Sequence, residues 1–370
     1  MAWVNMSDRR HLGRQILGRL LTRLGIFAAA LSLVLSGCAS AAPQAPATVH
    51  RIVAVGDLHG DFAAWRAITK AAGLTDSRGR WTGGETVLVQ TGDVVDRGPD
   101  GLKIINDLMR LQREAEHAHG RVVALVGNHE AMNVTGDLRY VSAADFAAYA
   151  NGNSERLRQQ TYEANKTRLE AAFRQKDPAM TSEAIKAAWL MATPLGALEH
   201  QAAWSPAGRI GRWVISNPAV ALIDGNLFVH GGIGPVYAHV ALDEINRRVA
   251  AALAARAMAP DAIINDPSGP LWYRGLVMQE KEGSEPSTPP PSSVVDQLEE
   301  VLPAVGAKRM IIGHTPILSG IAVLEDGRLV RIDTGISSVF DGKLTYLEIL
   351  DGKLLPYVVA RPDPARREAR

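Results

Sequence analysis

The sequence predicts a layered α/β domain with a helical insertion. Five short apolar runs, each followed closely by glycine and a polar residue, are typical of buried strands. Amphipathic patterns at 62–72 and 101–117 separate the first three runs, so strands and helices alternate as in a layered α/β protein. Between 131 and 217 the strand signal disappears and alanine-rich helical patterns replace it. The five apolar runs cover residues 52–55, 87–89, 122–126, 227–229 and 310–312.

The first 37 residues carry the pattern of an export signal. Five arginines precede an uncharged apolar run at 26–35, which is shorter than the roughly 20 residues that span a bilayer. The run ends before Cys38, the only cysteine, in a sequence similar to the lipobox of bacterial lipoproteins, where the cysteine is acylated. We therefore expect a lipoprotein signal peptide at 1–37, a lipid on Cys38 and a linker at 38–49. An uncleaved anchor helix at 24–42 is the alternative.

The predicted mature protein is exported and anchored by its lipid in the cell envelope. Ala39, directly after Cys38, favours the outer membrane or periplasm over the inner membrane. Arg9 and Arg10 leave twin-arginine export open beside the general secretory route. Loss of residues 1–37 removes five Arg and one Asp and changes the net charge from +1 to −3, so a nucleic-acid partner is not expected.

One catalytic domain is expected at 50–360, because its apolar content suffices for a sizeable core. Within it, the stretch 131–217 is predicted to be a helical insertion, with helical patterns at 142–149 and 155–173. The proline-rich stretch 283–293 is predicted to be a surface loop, since proline cannot donate to a helix or a strand ladder. Nothing in the sequence predicts an oligomeric state.

A polar motif follows each of the five apolar runs. These motifs are GDLHG at 56–60, GDVVDRG at 92–98, GNHE at 127–130, HGG at 230–232 and GHT at 313–315. Residues just past the carboxyl ends of strands in an open α/β sheet converge on one crevice, so distant ligands can meet there. Asp, His and Asn donors without a thiolate suit Mn, Fe or Zn. The motifs therefore predict a metal centre.

Together the motifs resemble the signature of the calcineurin-like metallophosphoesterases, in their phosphoprotein phosphatase branch. The sequence GNHEAMNVTGDLRYV, the sequence PLWYRG around Trp272, and GHTP with a later DTGIS make the chain most similar to the bacterial Shewanella-like protein phosphatases. The resemblance covers roughly residues 52–347. It implies a layered β-sandwich flanked by helices.

The resemblance implies two divalent metal ions, Mn, Fe or Zn, that share the carboxylate of Asp93. One ion is expected on Asp57, His59 and Asp93. The other is expected on Asp93, Asn128, His230 and His314. Many diesterases of the superfamily have a second histidine where this chain has Pro316, and this difference favours the phosphoprotein phosphatase branch.

Two ions bridged by a carboxylate imply a hydroxide, shared between the metals, that attacks phosphorus in line without a covalent enzyme intermediate. His129 is the expected general acid for the leaving oxygen, with Asp96 orienting its imidazole. Arg97 is expected to bind the phosphate oxygens, and Arg274 is the candidate second clamp.

The expected function is hydrolysis of phosphate monoesters on phosphoproteins or phosphopeptides, with phosphotyrosine and phosphoserine or phosphothreonine all open. Hydrolysis of a dinucleoside polyphosphate or another small phosphate ester is the alternative. A lipid-anchored binding module without activity is disfavoured because no ligand position is missing. A cysteine-thiolate mechanism is excluded because Cys38 lies in the export signal, and no Asp-x-Asp pair exists for an aspartyl-phosphate route.

Overall fold

Two five-stranded mixed sheets form the centre of the computed structural model, which describes residues 50–277 and 292–362. The strands of the first sheet are β1 (Arg51–Val55), β2 (Val87–Gln90), β3 (Arg121–Ala124), β9 (Leu344–Leu350) and β10 (Lys353–Val359). Those of the second are β4 (Val220–Ile223), β5 (Asn226–Val229), β6 (Arg309–Ile312), β7 (Ala322–Leu324) and β8 (Leu329–Arg331). The orders are β10-β9-β1-β2-β3 and β4-β5-β6-β8-β7.

Parallel pairing at the centre of each sheet sets the direction in which the strands end. β1 pairs in parallel with β2, and β2 with β3, while β9 and β10 complete the first sheet in antiparallel pairing. In the second sheet β5, β6 and β8 are parallel, and β4 and β7 are antiparallel edges. The turns after the parallel strands of each sheet therefore lie together at one edge.

The two faces of β1 show how the sheets and helices form layers. Ile52 and Ala54 belong to an apolar cluster that includes Phe228 and Ile311 of the second sheet, so the two sheets pack face to face. Val53 and Val55 belong to the cluster on the opposite face, among residues of the flanking helices. Because side chains alternate along a strand, one apolar run supplies side chains both to the core between the sheets and to the core under the helices. The predicted layered β-sandwich flanked by helices is confirmed.

Ten α-helices lie in the described ranges. They are α1 (Phe62–Ala71), α2 (Gly101–His117), α3 (Asn128–Thr135), α4 (Ala143–Ala147), α5 (Ser154–Lys176), α6 (Ser182–Ala192), α7 (Ala197–Trp204), α8 (Arg209–Ser216), α9 (Leu242–Ala254) and α10 (Val294–Ala304). The stretch 125–219, all of it described, holds α3 to α8 and no strand. The helices of the predicted insertion thus lie between β3 and β4.

Several predictions concern other parts of the chain. The signal peptide, the lipid site at Cys38 and the linker at 38–49 lie outside the described residues, as does most of the stretch 283–293. Among the residues that are described, no helix is both long and apolar enough to cross a membrane.

Candidate active site

Four of the five motifs line one pocket of about 190 Å³, and the fifth, HGG, places His230 Nε2 3.3 Å from Asp93 Oδ2. Each motif follows a strand: GDLHG follows β1, GDVVDRG follows β2, GNHE follows β3 and begins α3, HGG follows β5 and GHT follows β6. The pocket is lined by His59, Asp93, Arg97, Asn128, His129, Tyr140, Trp272, Arg274, His314, Pro316, Asp333 and Phe340. Residues that are far apart in sequence are thus brought together by the ends of parallel strands.

The carboxylate of Asp93 is the common neighbour of the histidines. Its Oδ2 lies 3.8 Å from His59 Nε2 and 3.9 Å from His129 Nε2. The same oxygen lies 3.3 Å from His230 Nε2, which is 2.9 Å from Asn128 Oδ1. Two buried groups able to hold a metal ion are His59, Asp93 and His129, and Asp93, His230 and His314. Asp93 is the member that both groups share.

Backbone carbonyls fix the orientation of two of the histidine rings. His59 Nδ1 lies 3.1 Å from the carbonyl oxygen of Val95, and His230 Nδ1 lies 2.8 Å from that of Thr91. If Nδ1 donates to these carbonyls, Nε2 of each ring is the atom that would bind a metal ion. Burial lowers the pKa of His59 to about 3, so its imidazole is neutral, as a metal ligand must be.

His314 gives the clearest sign that the pocket fits a metal ion. Both of its ring nitrogens are buried and neither has a hydrogen-bond partner. An unsatisfied buried polar group costs about 1–3 kcal/mol, and metal coordination would remove that cost. Burial and the nearby His230 lower the pKa of His314 to about 2, which keeps the imidazole in its ligating form.

Asp57 belongs to neither of the two buried ligand groups, but it lies beside His314. Its two carboxylate oxygens accept the backbone N–H of His314 at 3.2 and 3.1 Å. Burial, with the charges of Asp333 and Asp93, raises the pKa of Asp57 well above its usual range. A divalent cation would offset the repulsion among three buried carboxylates, so the charge of the site also fits bound metal.

Several residues of the site have a strained backbone conformation. His59, Asp93, Asp96, Arg97 and His314 all have positive φ, between 39° and 68°. Side-chain-bearing residues rarely adopt this region, at a cost of order 1–3 kcal/mol each, and such strain clusters at functional sites. The turns that aim these side chains into the pocket are therefore maintained against local preference by the packed sandwich beneath them.

His129 and Asp96 form a hydrogen-bonded pair at the side of the pocket. His129 Nδ1 lies 2.6 Å from Asp96 Oδ2, and the backbone N–H of His129 donates to Asp93 Oδ1 at 3.0 Å. Asn133 Nδ2 donates to both oxygens of Asp96, at 3.0 and 3.2 Å, and to the carbonyl of His129 at 2.9 Å. Burial alone would lower the pKa of His129, but the carboxylates of Asp93 and Asp96 raise it.

The two predicted arginine clamps both line the pocket. The guanidinium carbon of Arg97 lies 4.7 Å from the ring centroid of Tyr140 and 5.2 Å from that of Phe340. Both are within cation–π range, and the two contacts hold the guanidinium in place while leaving its N–H groups available. Arg274 is anchored by Nε, which donates to Thr315 Oγ1 at 3.3 Å.

Comparison with known proteins decides the family. The model of the family described as calcineurin-like phosphoesterase matches residues 50–318, more than half of the chain. The chain is a calcineurin-like phosphoesterase. This membership, with the phosphatase relatives described next, makes it a metal-dependent phosphoric ester hydrolase, as the sequence predicted.

The relatives of this phosphoesterase confirm the narrower resemblance. Shewanella-like protein phosphatase 2 of Arabidopsis thaliana is 34% identical, covering 84% of this chain and 78% of that protein. Shewanella-like protein phosphatase 1 of Plasmodium berghei is 25% identical, covering 78% of this chain and 67% of that protein. A solved cold-active protein-tyrosine phosphatase of a psychrophilic Shewanella species supports the fold, at 23% identity and a TM-score of 0.59, covering 84% of this chain and 81% of that one.

The phosphoesterase fold brings every predicted ligand and catalytic side chain to one place. The ten residues at or beside the pocket are Asp57, His59, Asp93, Asp96, Arg97, Asn128, His129, His230, Arg274 and His314. Their individual roles stay predictions. His129 is close enough to Asp93 to belong to a ligand group as well as to serve as the predicted acid.

Sequence reasoning did not assign Glu130, which supports the site from behind. Its carboxylate accepts three backbone N–H groups, from Asp93 at 2.8 Å, Val94 at 2.9 Å and Gly127 at 2.9 Å. Burial and the charge of Asp93 raise the pKa of Glu130 to about 7, while these donors oppose the rise. Glu130 is the third residue of α3 and caps the N–H of Gly127, as the glutamate of a capping box does, although glycine offers no side chain for the other half of that motif.

Asn133 was also missed. It lies one helical turn after His129 on α3, so the two side chains share a face, and this spacing could have pointed to it. Tyr140 and Phe340 were missed because nothing in the sequence shows that they reach Arg97.

Proposed function

We propose that this phosphoesterase removes the phosphoryl group from phosphorylated protein side chains and that phosphotyrosine is its preferred substrate. The observation that carries the proposal is the cation–π contact of Arg97 with Tyr140 and Phe340, beside the Asp93 ligand groups. A monoester presents free, charged oxygens to a fixed guanidinium, whereas a diester has less charge and an added substituent. Aromatic side chains on the pocket wall also suit an aryl leaving group.

The side chains would hold two divalent metal ions, of which manganese, iron and zinc suit the oxygen and nitrogen donors. Asp93 would be shared, with Asp57 and His59 on one ion and Asn128, His230 and His314 on the other. Bound there, the ions would activate water and neutralise charge on the phosphoryl group. Glu130 and the carbonyls behind the histidines orient these ligands.

The chain's own residues would supply the remaining chemistry. Arg97 and Arg274 would bind the phosphoryl oxygens and oppose the charge that builds up during transfer. His129 would give a proton to the leaving oxygen, with Asp96 holding the imidazole and Asn133 holding Asp96. The raised pKa of His129 keeps a proton available for this step.

The test is kcat/KM on metal-loaded protein for an aryl phosphate monoester, the matched diester, phosphotyrosyl and phosphoseryl peptides, and diadenosine tetraphosphate. We expect kcat/KM for the aryl phosphate monoester and for the phosphopeptides to exceed that for the diester and the dinucleotide. Among the peptides, kcat/KM should be higher for the phosphotyrosyl than for the phosphoseryl peptide. A diester or dinucleotide that exceeds every monoester would overturn the proposal. Arg97→Lys keeps the charge but not the planar fork, and should narrow the preference for monoesters.

We also propose that the protein is exported and lipid-anchored through Cys38. The support is the apolar run at 26–35 that ends before the chain's only cysteine. Cys38→Ser should abolish labelling by a fatty-acid analogue and move the protein from the membrane fraction to a soluble or unprocessed form. Labelling that persists in this variant would contradict the lipid anchor.

A further inference from the structure

A second groove lies among α5, α6 and α7, outside the active site. Its volume is about 300 Å³, and Phe146 of α4 lies on its wall. Other apolar walls are Leu169 of α5, Trp189 of α6 and Leu198 of α7. A groove of this size lined by aromatic and branched aliphatic side chains can bury one or two apolar side chains of a ligand.

The groove begins next to the active-site pocket. Leu138 lines the groove, and Tyr140, two residues later, lines the pocket. Two residues span at most about 7 Å of extended chain. The carbonyl of Tyr140 also accepts the backbone N–H of Arg97 at 3.3 Å, which ties this segment to the proposed phosphate clamp. A polypeptide whose phosphorylated residue enters the pocket would therefore reach the groove within a few residues.

The groove carries a cation with no acidic partner in the described parts of the chain. Arg168 is exposed on α5 and lines the groove. Its guanidinium contacts Asn165 Oδ1 at 3.4 Å, and no carboxylate among the described residues lies within ion-pair distance. An arginine beside an apolar cavity would attract an acidic side chain of a ligand, while an apolar side chain of the same ligand would fill the cavity.

We propose that this groove docks the stretch of a phosphoprotein substrate that flanks the phosphorylated residue. The occupant is an extended segment with an apolar side chain in the cavity and an acidic side chain on Arg168, about three to five residues from the phosphoryl group. The proposal rests on the proposed function, because it takes the phosphorylated residue to lie in the active-site pocket. It adds that the helices between β3 and β4 select the substrate by sequence.

The experiment compares a peptide with a small ester in each variant. The substrates are an aryl phosphate and two phosphotyrosyl peptides. One peptide has a Leu and a Glu about four residues before the phosphotyrosine, and the other has them about four residues after it. The measured quantity is the ratio of kcat/KM for peptide to that for the aryl phosphate. Arg168→Glu should lower this ratio about tenfold for one of the two peptides, mainly through KM. Lys166→Glu makes the same charge change two positions away on α5, outside the groove, and should leave the ratio as in the parent.

A cavity-filling variant and a charge exchange make the test sharper. Ala192→Trp fills the groove and should lower the ratio without any change of charge, whereas Ala164→Trp, on the exposed surface of α5, should not. A peptide with Lys in place of Glu should be preferred by Arg168→Glu over the original peptide.

Three results would overturn the proposal. One is a ratio that changes less than about twofold in both groove variants, and another is an equal loss in the Lys166 control. The third is a change of oligomeric state in Arg168→Glu with an unchanged ratio, which would assign the groove to a second copy of the chain. Hydrolysis of the aryl phosphate by the parent tests the proposed function separately, so the two failures are distinguishable.

Discussion

Glu130→Gln is the most informative single change behind the site, because it removes a charge while keeping the shape of the side chain. Glu130 Oε2 accepts two backbone N–H groups, from Asp93 and Gly127, and Oε1 accepts one, from Val94. A glutamine has one acceptor oxygen, so its amide nitrogen must face at least one of these donors. The least disruptive orientation keeps the oxygen toward Asp93 and Gly127 and leaves the N–H of Val94 facing another donor.

The expected cost follows from this geometry. Removing the acceptor leaves the Val94 N–H buried and unsatisfied, which costs about 1–3 kcal/mol. The free energy of unfolding should therefore fall by about 1–3 kcal/mol, a sizeable part of the roughly 5–15 kcal/mol that stabilises a typical domain. At roughly 2–4 °C per kcal/mol for large domains, Tm should fall by at least roughly 2 °C.

The assay is thermal unfolding of metal-stripped protein at pH 8, above the pKa of about 7 of Glu130. Because the pKa of Glu130 is raised in the folded protein, the parent loses stability as the pH rises through that pKa, whereas the glutamine variant does not, so the stability difference between parent and variant should be larger at pH 6 than at pH 8. The matched control is Glu116→Gln on the exposed face of α2, which should leave Tm unchanged. A Tm of Glu130→Gln within about 1 °C of the parent would refute the anchoring role.

Three further substitutions test individual roles in the site. Asp93→Asn should lower metal occupancy and turnover together because both ligand groups contain this carboxylate, and near-normal activity with two bound metals would remove the bridging role. His129→Asn should slow turnover by roughly 10²–10⁴, least for acidic leaving groups, and an equal loss for aryl and alkyl phosphates would argue against a general acid. Asn133→Leu removes the donors to Asp96 and should reduce kcat for alkyl phosphates more than for aryl phosphates, with KM little changed; a uniform loss would indicate a purely structural role.

The predicted runs match β1, β2, β3, β5 and β6. Four of these strands are central in their sheets and almost wholly buried, and their continuous apolar residues are typical of such strands. The fifth, β3, is a partly exposed edge of the first sheet. Two of the strands that were missed, β4 and β10, belong to hairpins, and each hairpin turn has an Asp-Gly pair. Asp224 and Gly225 have φ of 48° and 74°, and Asp351 and Gly352 have φ of 47° and 78°. These values suit a type I′ turn, so the dipeptides were usable signals.

Strand β10 is difficult to predict because it is an edge. Much of it is exposed and it contains Pro356, which cannot donate to a ladder and is tolerated only where a strand edge or bulge needs no donor. Its apolar pattern is therefore weak, and its place in the sheet depends on pairing with β9.

The site residues in the five motifs after strands can be predicted because a strand end and a glycine mark each motif. Asn133 and Tyr140 cannot be assigned this way, since their roles depend on partners in another loop: Asn133 bonds Asp96 and Tyr140 packs on Arg97. Such contacts exist only once the turns after β2 and β3 have been placed side by side by the sheet.

We propose that two metal ions act together at the Asp93 centre. The test is to add manganese, iron or zinc stepwise to metal-stripped protein while measuring bound metal per chain and hydrolysis of an aryl phosphate monoester in the same samples. We expect little activity with one ion per chain and full activity as the second ion binds. The Asp93→Asn variant should reach neither two bound ions nor full activity. Full activity with one ion or none bound would contradict joint action of two ions.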